Sequence, residues 1–171
     1  MELIQKLYQD GKINELRKNE LRTEMEKTGK TEEEVILQKK IIDENALFEL
    51  KSKILKLPLL KLGVKEEIPF DVLDLISEET AVNYKMVPLF KKGNTVGVGM
   101  IYPENILAQN ALRFMNRKEK FTYEIYLITF SDLNNILGQH GTLKRVTNKA
   151  LEELGKEKDE ILNTFANNSN S

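Results

Sequence analysis

Cysteine is absent from all 171 residues, which excludes disulfides, thiolate metal sites and a cysteine nucleophile. Histidine occurs once, at His140, so a histidine-based triad has one possible member and zinc at most one imidazole. No apolar run approaches the roughly 18 residues of a membrane span, and no basic segment with an apolar stretch behind it opens the chain. The expected location is cytoplasmic, without direct membrane insertion. An excess of one charge is lacking too: 26 basic and 27 acidic side chains give a formal net charge of -1, so no overall field favours nucleic acid or an anionic membrane. Apolar material is not short. At 40% hydrophobic content the chain can build a real core, as one ordinary domain or two small ones.

The organising stretch is 85–115. Met86 to Phe90 is a short apolar run, Lys92-Gly93-Asn94 supplies residues that tolerate positive φ, and Thr95 to Ile101 resumes a partly β-branched run, which predicts a β-hairpin. Gly97 and Gly99 share one face of the second strand and leave it bare, so something is expected to pack closely there. Pro103, with Glu104 and Asn105 after it, opens a helix. Ile106, Leu107, Ala111, Leu112, Phe114 and Met115 recur in it at helical spacing. The result is strand, strand, helix, an α+β core.

Upstream, Met1 to Leu57 is helical throughout, with breaks near Gly11 and Gly29, and it contains an internal repeat. A shift of 29 residues places Gln9 on Gln38, Ile13 on Ile42, Glu15 on Glu44, Glu20 on Glu49 and Leu21 on Leu50. Such a period implies one supersecondary unit used twice, a short helix, a tight turn and a longer helix, making a small four-helix bundle. Asn14 and Asp43 stand where N-caps belong. Pro58 ends the second copy, Leu57 to Val64 is an extended connector, Ile68-Pro69 opens a helical piece from Phe70 to Ile76, and Ser77-Glu78-Glu79 caps a short helix to Tyr84.

Downstream, Phe121 to Ile128 is the clearest strand, with Phe121, Tyr123, Ile125 and Leu127 on one face. Thr129 to Asp132 offers N-cap chemistry for a helix of Leu133, Ile136 and Leu137, which Gly138 is expected to terminate. Leu143 to Phe165 is a further amphipathic helix and Ala166 to Ser171 a polar, disordered tail. The expected fold class is α+β. Residues 1–57 form a helical bundle, 58–140 a small α/β domain with a three-stranded sheet in the order strand-strand-helix-strand-helix, and 141–171 a linker helix and tail.

Motifs that carry chemistry are few. Gly29-Lys30-Thr31 has the look of a phosphate-loop ending, but Glu24 stands at the first glycine position, the segment before it is helical, and Glu32, Glu33 and Glu34 would repel phosphate. Thr31 with Glu34 is instead a capping box. The pairs Asp71 with Asp74 and Glu152 with Glu153 sit on helices, where acids face solvent. Lys91-Lys92-Gly93 is a charged turn. Arg113, Arg117, Lys118 and Lys120 gather near the end of the central helix, where cations favour its dipole and could also meet an acidic partner. His140, between Gly138 and Gly141, is expected in a loop and solvated. No catalytic, metal-binding or cofactor-binding constellation emerges, and an enzymatic reading has only His140 and scattered acids behind it.

The order of elements resembles the N-terminal region of the type II secretion and type IV pilus assembly ATPases. The residues that carry the resemblance are Lys40-Ile41-Ile42-Asp43-Glu44, Leu57-Pro58-Leu59, Ile76-Ser77-Glu78-Glu79-Thr80-Ala81 and Tyr84-Lys85-Met86-Val87-Pro88-Leu89. Thr95 to Met100, Pro103 with its helix, and Thr129 to Leu137 continue it, over about residues 1–140. The resemblance implies a docking and regulatory module preceding a motor ATPase domain in cis, in a hexameric parent protein. It further implies an inner-membrane platform or cytoplasmic adaptor as partner, and a cytoplasmic position peripheral to the inner membrane through that partner. The Walker A, acidic box and zinc-binding cysteines of the family lie downstream of this region, so the chain is expected to be an isolated N-terminal part that does not hydrolyse ATP.

Some members of that family bind cyclic di-GMP through two tandem motifs of the form Arg-Leu-Gly-x-x-apolar-apolar-x-x-Gly-x-(Ile/Leu). Gly11-Lys12-Ile13 keeps the later glycine and its apolar partner, but no Arg-Leu-Gly precedes it. In the second copy Thr31 stands at the arginine position, Glu33 at its glycine and Lys40 at the later glycine, so the guanine-stacking arginine and the phosphate-admitting glycine are missing. Gly11, Ile13 and Ile42 are the candidate residues for this ligand. Two readings result: a docking module whose contacts lie on its surplus apolar faces and at Gly97 and Gly99, or a cyclic di-GMP receptor.

Overall fold

The computed structural model describes residues 2–63 and 66–168, with the side chains of residues 142–148 and 168 outside the description. Val64 of the expected connector and the last three residues of the expected tail therefore lie outside the described residues. The repeat is present in three dimensions. Helices α1 (Glu2–Gln9) and α2 (Glu15–Thr28) are followed by α3 (Glu32–Gln38) and α4 (Glu44–Leu55). The turn of the first copy is closed by the N–H groups of Asp10, Gly11 and Lys12 donating to the carbonyls of Lys6, Tyr8 and Leu7. Lys39, Lys40 and Ile41 donate to Val35, Leu37 and Ile36 in the second copy, the same three bonds moved on by 29 residues. Gly11 (φ 70°) and Lys40 (φ 53°) hold the same left-handed position. Asn14 and Asp43 cap α2 and α4, each side chain accepting an N–H three residues on, at 2.8 Å.

The connector leaves α4 and touches the sheet at one point, where Leu127 donates to Pro58 O and Leu60 donates to Leu127 O, both at 2.9 Å. Two short helices follow, α5 (Phe70–Leu73), shorter than the expected 70–76, and α6 (Glu78–Tyr84), capped by Ser77. Strands β1 (Met86–Lys92) and β2 (Thr95–Met100) form the expected hairpin, antiparallel, with a bulge between Pro88 and Phe90. Gly93 turns it at φ 59°, a conformation that favours glycine. Helix α7 (Ile106–Glu119) crosses to β3 (Thr122–Leu127), which lies parallel to β2, so the sheet order is β1-β2-β3. Apolar side chains of the helical repeats, among them Ile4, Leu21, Ile36 and Phe48, belong to one continuous cluster with Met86, Val98, Met100 and Leu127 of the sheet.

The last helix departs from expectation. Helix α8 (Phe130–Asn168) is a single 39-residue element. It starts where Thr129 caps it, with Asp132 N–H on Thr129 Oγ1 at 3.2 Å. Gly138 does not end it, and neither a second helix at Leu143 nor a non-helical start of the tail at Ala166 is found. One glycine in a helix costs only about 1 kcal/mol against alanine, less than the burial of Leu133 and Ile136 returns on the preceding turns. His140 is consequently helical, and at 8% exposure it is buried rather than solvated.

Candidate interaction site

The two equivalent turns open onto one shallow depression of about 450 Å³, walled by Lys12, Ile13, Asn14, Arg17 and Glu20 of the first copy and Lys39, Lys40 and Ile41 of the second. Four cationic side chains line it, and the Glu20 carboxylate accepts from Arg17 at 2.9 Å. Of the three candidate ligand residues, Ile13 is on this wall while Gly11 and Ile42 are not. Ile13 is itself only 8% exposed. Gly11 has open space around the place of a Cβ, so its glycine is favoured by backbone conformation and not by a close neighbour.

The positions where the resemblance calls for arginine and glycine are taken up by internal bonds. Thr31 caps α3 in the expected capping box: its hydroxyl accepts from Glu34 N–H at 3.3 Å and the Glu34 carboxylate accepts from Thr31 N–H at 2.9 Å. The same hydroxyl meets the Tyr102 hydroxyl at 2.8 Å. Glu32 turns inward and accepts Ile4 N–H at 2.8 Å, satisfying a donor in the first turn of α1. Gly29, read against a phosphate loop, is the left-handed C-cap of α2 at φ 70°.

Glu33 leads to a feature that sequence reasoning missed. Its carboxylate accepts from Lys51 Nζ at 2.8 Å, and the same ammonium donates to the Ile101 carbonyl at 2.7 Å and to Glu104 at 2.9 Å. It also lies 4.8 Å over the Tyr102 ring. Lys51 is 3% exposed and Glu33 5%. The signal was available: Leu47, Phe48 and Lys51 share one face of α4, so the lysine falls on the buried stripe. Burial, opposed by the Thr31 hydroxyl bond, holds the Tyr102 phenol above its usual pKa, with Glu33, Glu34 and Glu104 adding to the rise. This cluster ties both helices of the second repeat to the loop after β2. A second tie runs from Glu44, which accepts from Ser131 N–H at 2.8 Å and Oγ at 2.6 Å, beside the edge-on rings of Phe48 and Phe130.

Gly97 and Gly99 are covered by the chain's own side chains. A Cβ on Gly97 would fall within 2.8 Å of three ring atoms of Phe90, and one on Gly99 would lie 2.7 Å from Ile128 Cγ2. The close packing expected there is therefore intramolecular, and these glycines offer no open contact to a partner. Exposed apolar side chains lie elsewhere: Leu107 and Phe114 on α7, and Leu151, Leu154, Ile161, Leu162 and Phe165 on the outer half of α8. Arg113 and Arg117 project from α7 with no ion pair among the described residues, Arg113 reaching only Asn110 at 3.4 Å. Among the described residues there is also no group of acids and histidine able to hold a metal.

Two paired-helix repeats packed against a small mixed sheet form an α+β fold that is shared with solved structures. The fold matches the structure of MshE with c-di-GMP at TM-score 0.66 and 20% identity, over 81% of this chain and 97% of that one. It matches the N-terminal domain of XpsE at TM-score 0.59 and 14% identity, over 80% and 91%. In sequence, the type IV pilus assembly ATPase PilB of Acinetobacter baylyi is 28% identical over 156 residues, 88% of this chain. The chain spans about a quarter of that relative, 25% of its length. The MshEN domain family matches residues 55–146, more than half of the 171 residues. The chain belongs to that family, as an N-terminal domain of the type II secretion and type IV pilus assembly ATPase class.

Proposed function

We propose that this domain docks a type IV pilus assembly or type II secretion motor onto an inner-membrane platform or a cytoplasmic adaptor, and carries no ATPase chemistry of its own. Its two parts are the repeat pair of residues 1–57 and the sheet unit of residues 58–140, acting in cis on the ATPase domain of a hexameric parent at the cytoplasmic face of the inner membrane. The observation that carries this reading is the internal use of Thr31, Glu32 and Glu33. The ligand positions of the repeats serve as caps and as the Lys51 ion pair, while apolar surface stays open on α7 and α8. Pull-down with the cytoplasmic parts of platform and adaptor proteins tests it: retention of one of them is expected, and retention of neither defeats the reading. A turnover assay against nucleotides should return nothing.

A second reading is a cyclic di-GMP receptor. It is favoured by the convergence of Lys12, Arg17, Lys39 and Lys40 on the depression between the turns, a cationic setting fit for phosphate. Calorimetric titration with cyclic di-GMP decides it. Saturable binding in the micromolar range, lost in the Lys39→Glu/Lys40→Glu variant, would move this reading to the front; no heat would leave docking alone.

A further inference from the structure

Strand β3 closes the sheet on one side, and its hydrogen-bonding direction can be followed residue by residue. Thr122 N–H donates inward to Asn94 O at 2.8 Å and Ile128 N–H to Met100 O at 3.2 Å, so the even-numbered residues face β2 with their backbone groups. In a parallel ladder the alternate residues then present theirs to the outer side. Leu127 does so, and Pro58 and Leu60 meet it there. Tyr123 and Ile125 turn the same way, and no partner meets their N–H or C=O among the described residues. Two donors and two acceptors, repeating at roughly 6.6 Å along the strand, are left at the edge of a sheet whose third strand is β-branched and aromatic.

Alongside this edge runs a groove of about 260 Å³ between α7 and β3, with Leu112, Tyr123 and Ile125 as its apolar floor and Gln109, Arg113 and Asn116 as its α7 wall. On the opposite face of the strand the Glu124 carboxylate is exposed, met by the Tyr126 hydroxyl at 3.2 Å. Charge decides the occupant. A second copy pairing antiparallel through Tyr123 and Ile125 would be centred on Glu124 and set two carboxylates directly across from one another, which is unfavourable. A segment that alternates apolar, basic, apolar would place its apolar side chains in the groove and its cation opposite Glu124.

We infer that the outer edge of β3 is a strand-addition site, taking an extended apolar-basic-apolar segment of a partner protein through the backbone of Tyr123 and Ile125. The inference rests on the docking reading for the partner's identity, and it names the surface and the chemistry that the partner must bring. The Pro58–Leu60 connector sets one limit of the site, because it already occupies Leu127.

The test uses the full chain and a capped peptide with Val-Lys-Val at its centre and threonine flanks. Titration up to about millimolar is followed by anisotropy and by amide hydrogen exchange. Binding that slows exchange at Tyr123 and Ile125, with other strand amides unchanged, is expected. Proline at an edge position whose N–H points outward leaves the ladder intact, so Tyr123→Pro should weaken binding about tenfold more than Tyr123→Ala, which loses the same ring but keeps the donor. Failure of the peptide to bind, binding without protection at these two amides, or equal affinities of the two variants overturns the inference. If Tyr123→Pro does not fold, the exchange pattern of the unaltered chain decides. Pull-down separates the two readings. A platform or adaptor retained equally by both variants leaves docking standing and sinks the edge, whereas peptide protection with neither protein retained does the reverse.

Discussion

Replacing Lys51 with methionine keeps an unbranched side chain, one heavy atom shorter, and removes one charge from the centre of the molecule. The ammonium is 3% exposed and serves three acceptors, Glu33, the Ile101 carbonyl and Glu104, at 2.7–2.9 Å. Glu104 is half exposed and loses under about 1 kcal/mol, and the carbonyl loses about 1 kcal/mol of hydrogen bond. The larger effect is on Glu33, 5% exposed, whose carboxylate would stay buried without its cation. Breaking a buried pair on one side costs about 3–5 kcal/mol. In a domain of this size that corresponds to a fall in Tm of about 10 °C. Adding Glu33→Leu removes the stranded charge, and the double variant should return to within about 2 kcal/mol of the parent, the part owed to the Ile101 carbonyl and Glu104. Urea unfolding of the full chain, followed by far-ultraviolet circular dichroism, measures all three proteins. A single variant as stable as the parent, or a double variant no better than the single, would refute the argument that the pair acts as a unit.

Gly97→Ala should cost about 1–3 kcal/mol by overpacking, because its methyl would enter the Phe90 ring; in a Phe90→Ala background the penalty should largely vanish, which a double-mutant cycle in denaturant reads directly. Lys40, Lys56, Lys85 and Lys120 sit at φ 51–57°, a conformation costly for any residue with a Cβ, so glycine at each of the last three, all helix C-caps, should add roughly 0.5–1 kcal/mol, measured as an upward shift in Tm. Burial lowers the pKa of His140 from its usual 6.5, against the opposing pull of Glu78 and Asp74. A depressed imidazole means that the unfolded chain binds the proton more readily, so stability is full above about pH 7 and falls as the pH drops below the ordinary histidine value of 6.5. His140→Leu should flatten that part of the pH–stability curve.

Much of the fold was legible because local signals agreed with the global outcome. The hairpin, the helix opened after Pro103 and the strand 122–127 each have one dominant signal, and the 29-residue repeat was visible because both copies keep an Asx cap and a left-handed turn. Gly138 was misleading for a physical reason: glycine ends a helix only when it adopts positive φ, and here the apolar spacing of Leu133, Ile136 and Leu137 carries the helix through it. The inward turn of Lys51, Glu32 and Glu33 was hard to see because a charged residue in a sequence is ordinarily a surface residue. Only its phase relative to Leu47 and Phe48 indicates otherwise, and its partners on the Ile101–Glu104 loop are 50 and 53 residues away along the chain. The open edge of β3 follows from strand order, which alternation of apolar residues does not specify.

A continuous α8 makes the domain one end of a shaft. Residues up to His140 are held by the sheet and α6, and from Gly141 to Asn168 the helix reaches about 40 Å further at 1.5 Å per residue. Along that reach the apolar side chains at 151, 154, 161, 162 and 165 share one side, so their compass bearing is dictated by packing at the far end. Insertion of one residue beside Gly155 would swing the bearing of everything beyond it by about 100° while advancing it about 1.5 Å, and leave the sheet, the repeats and the Lys51 cluster untouched.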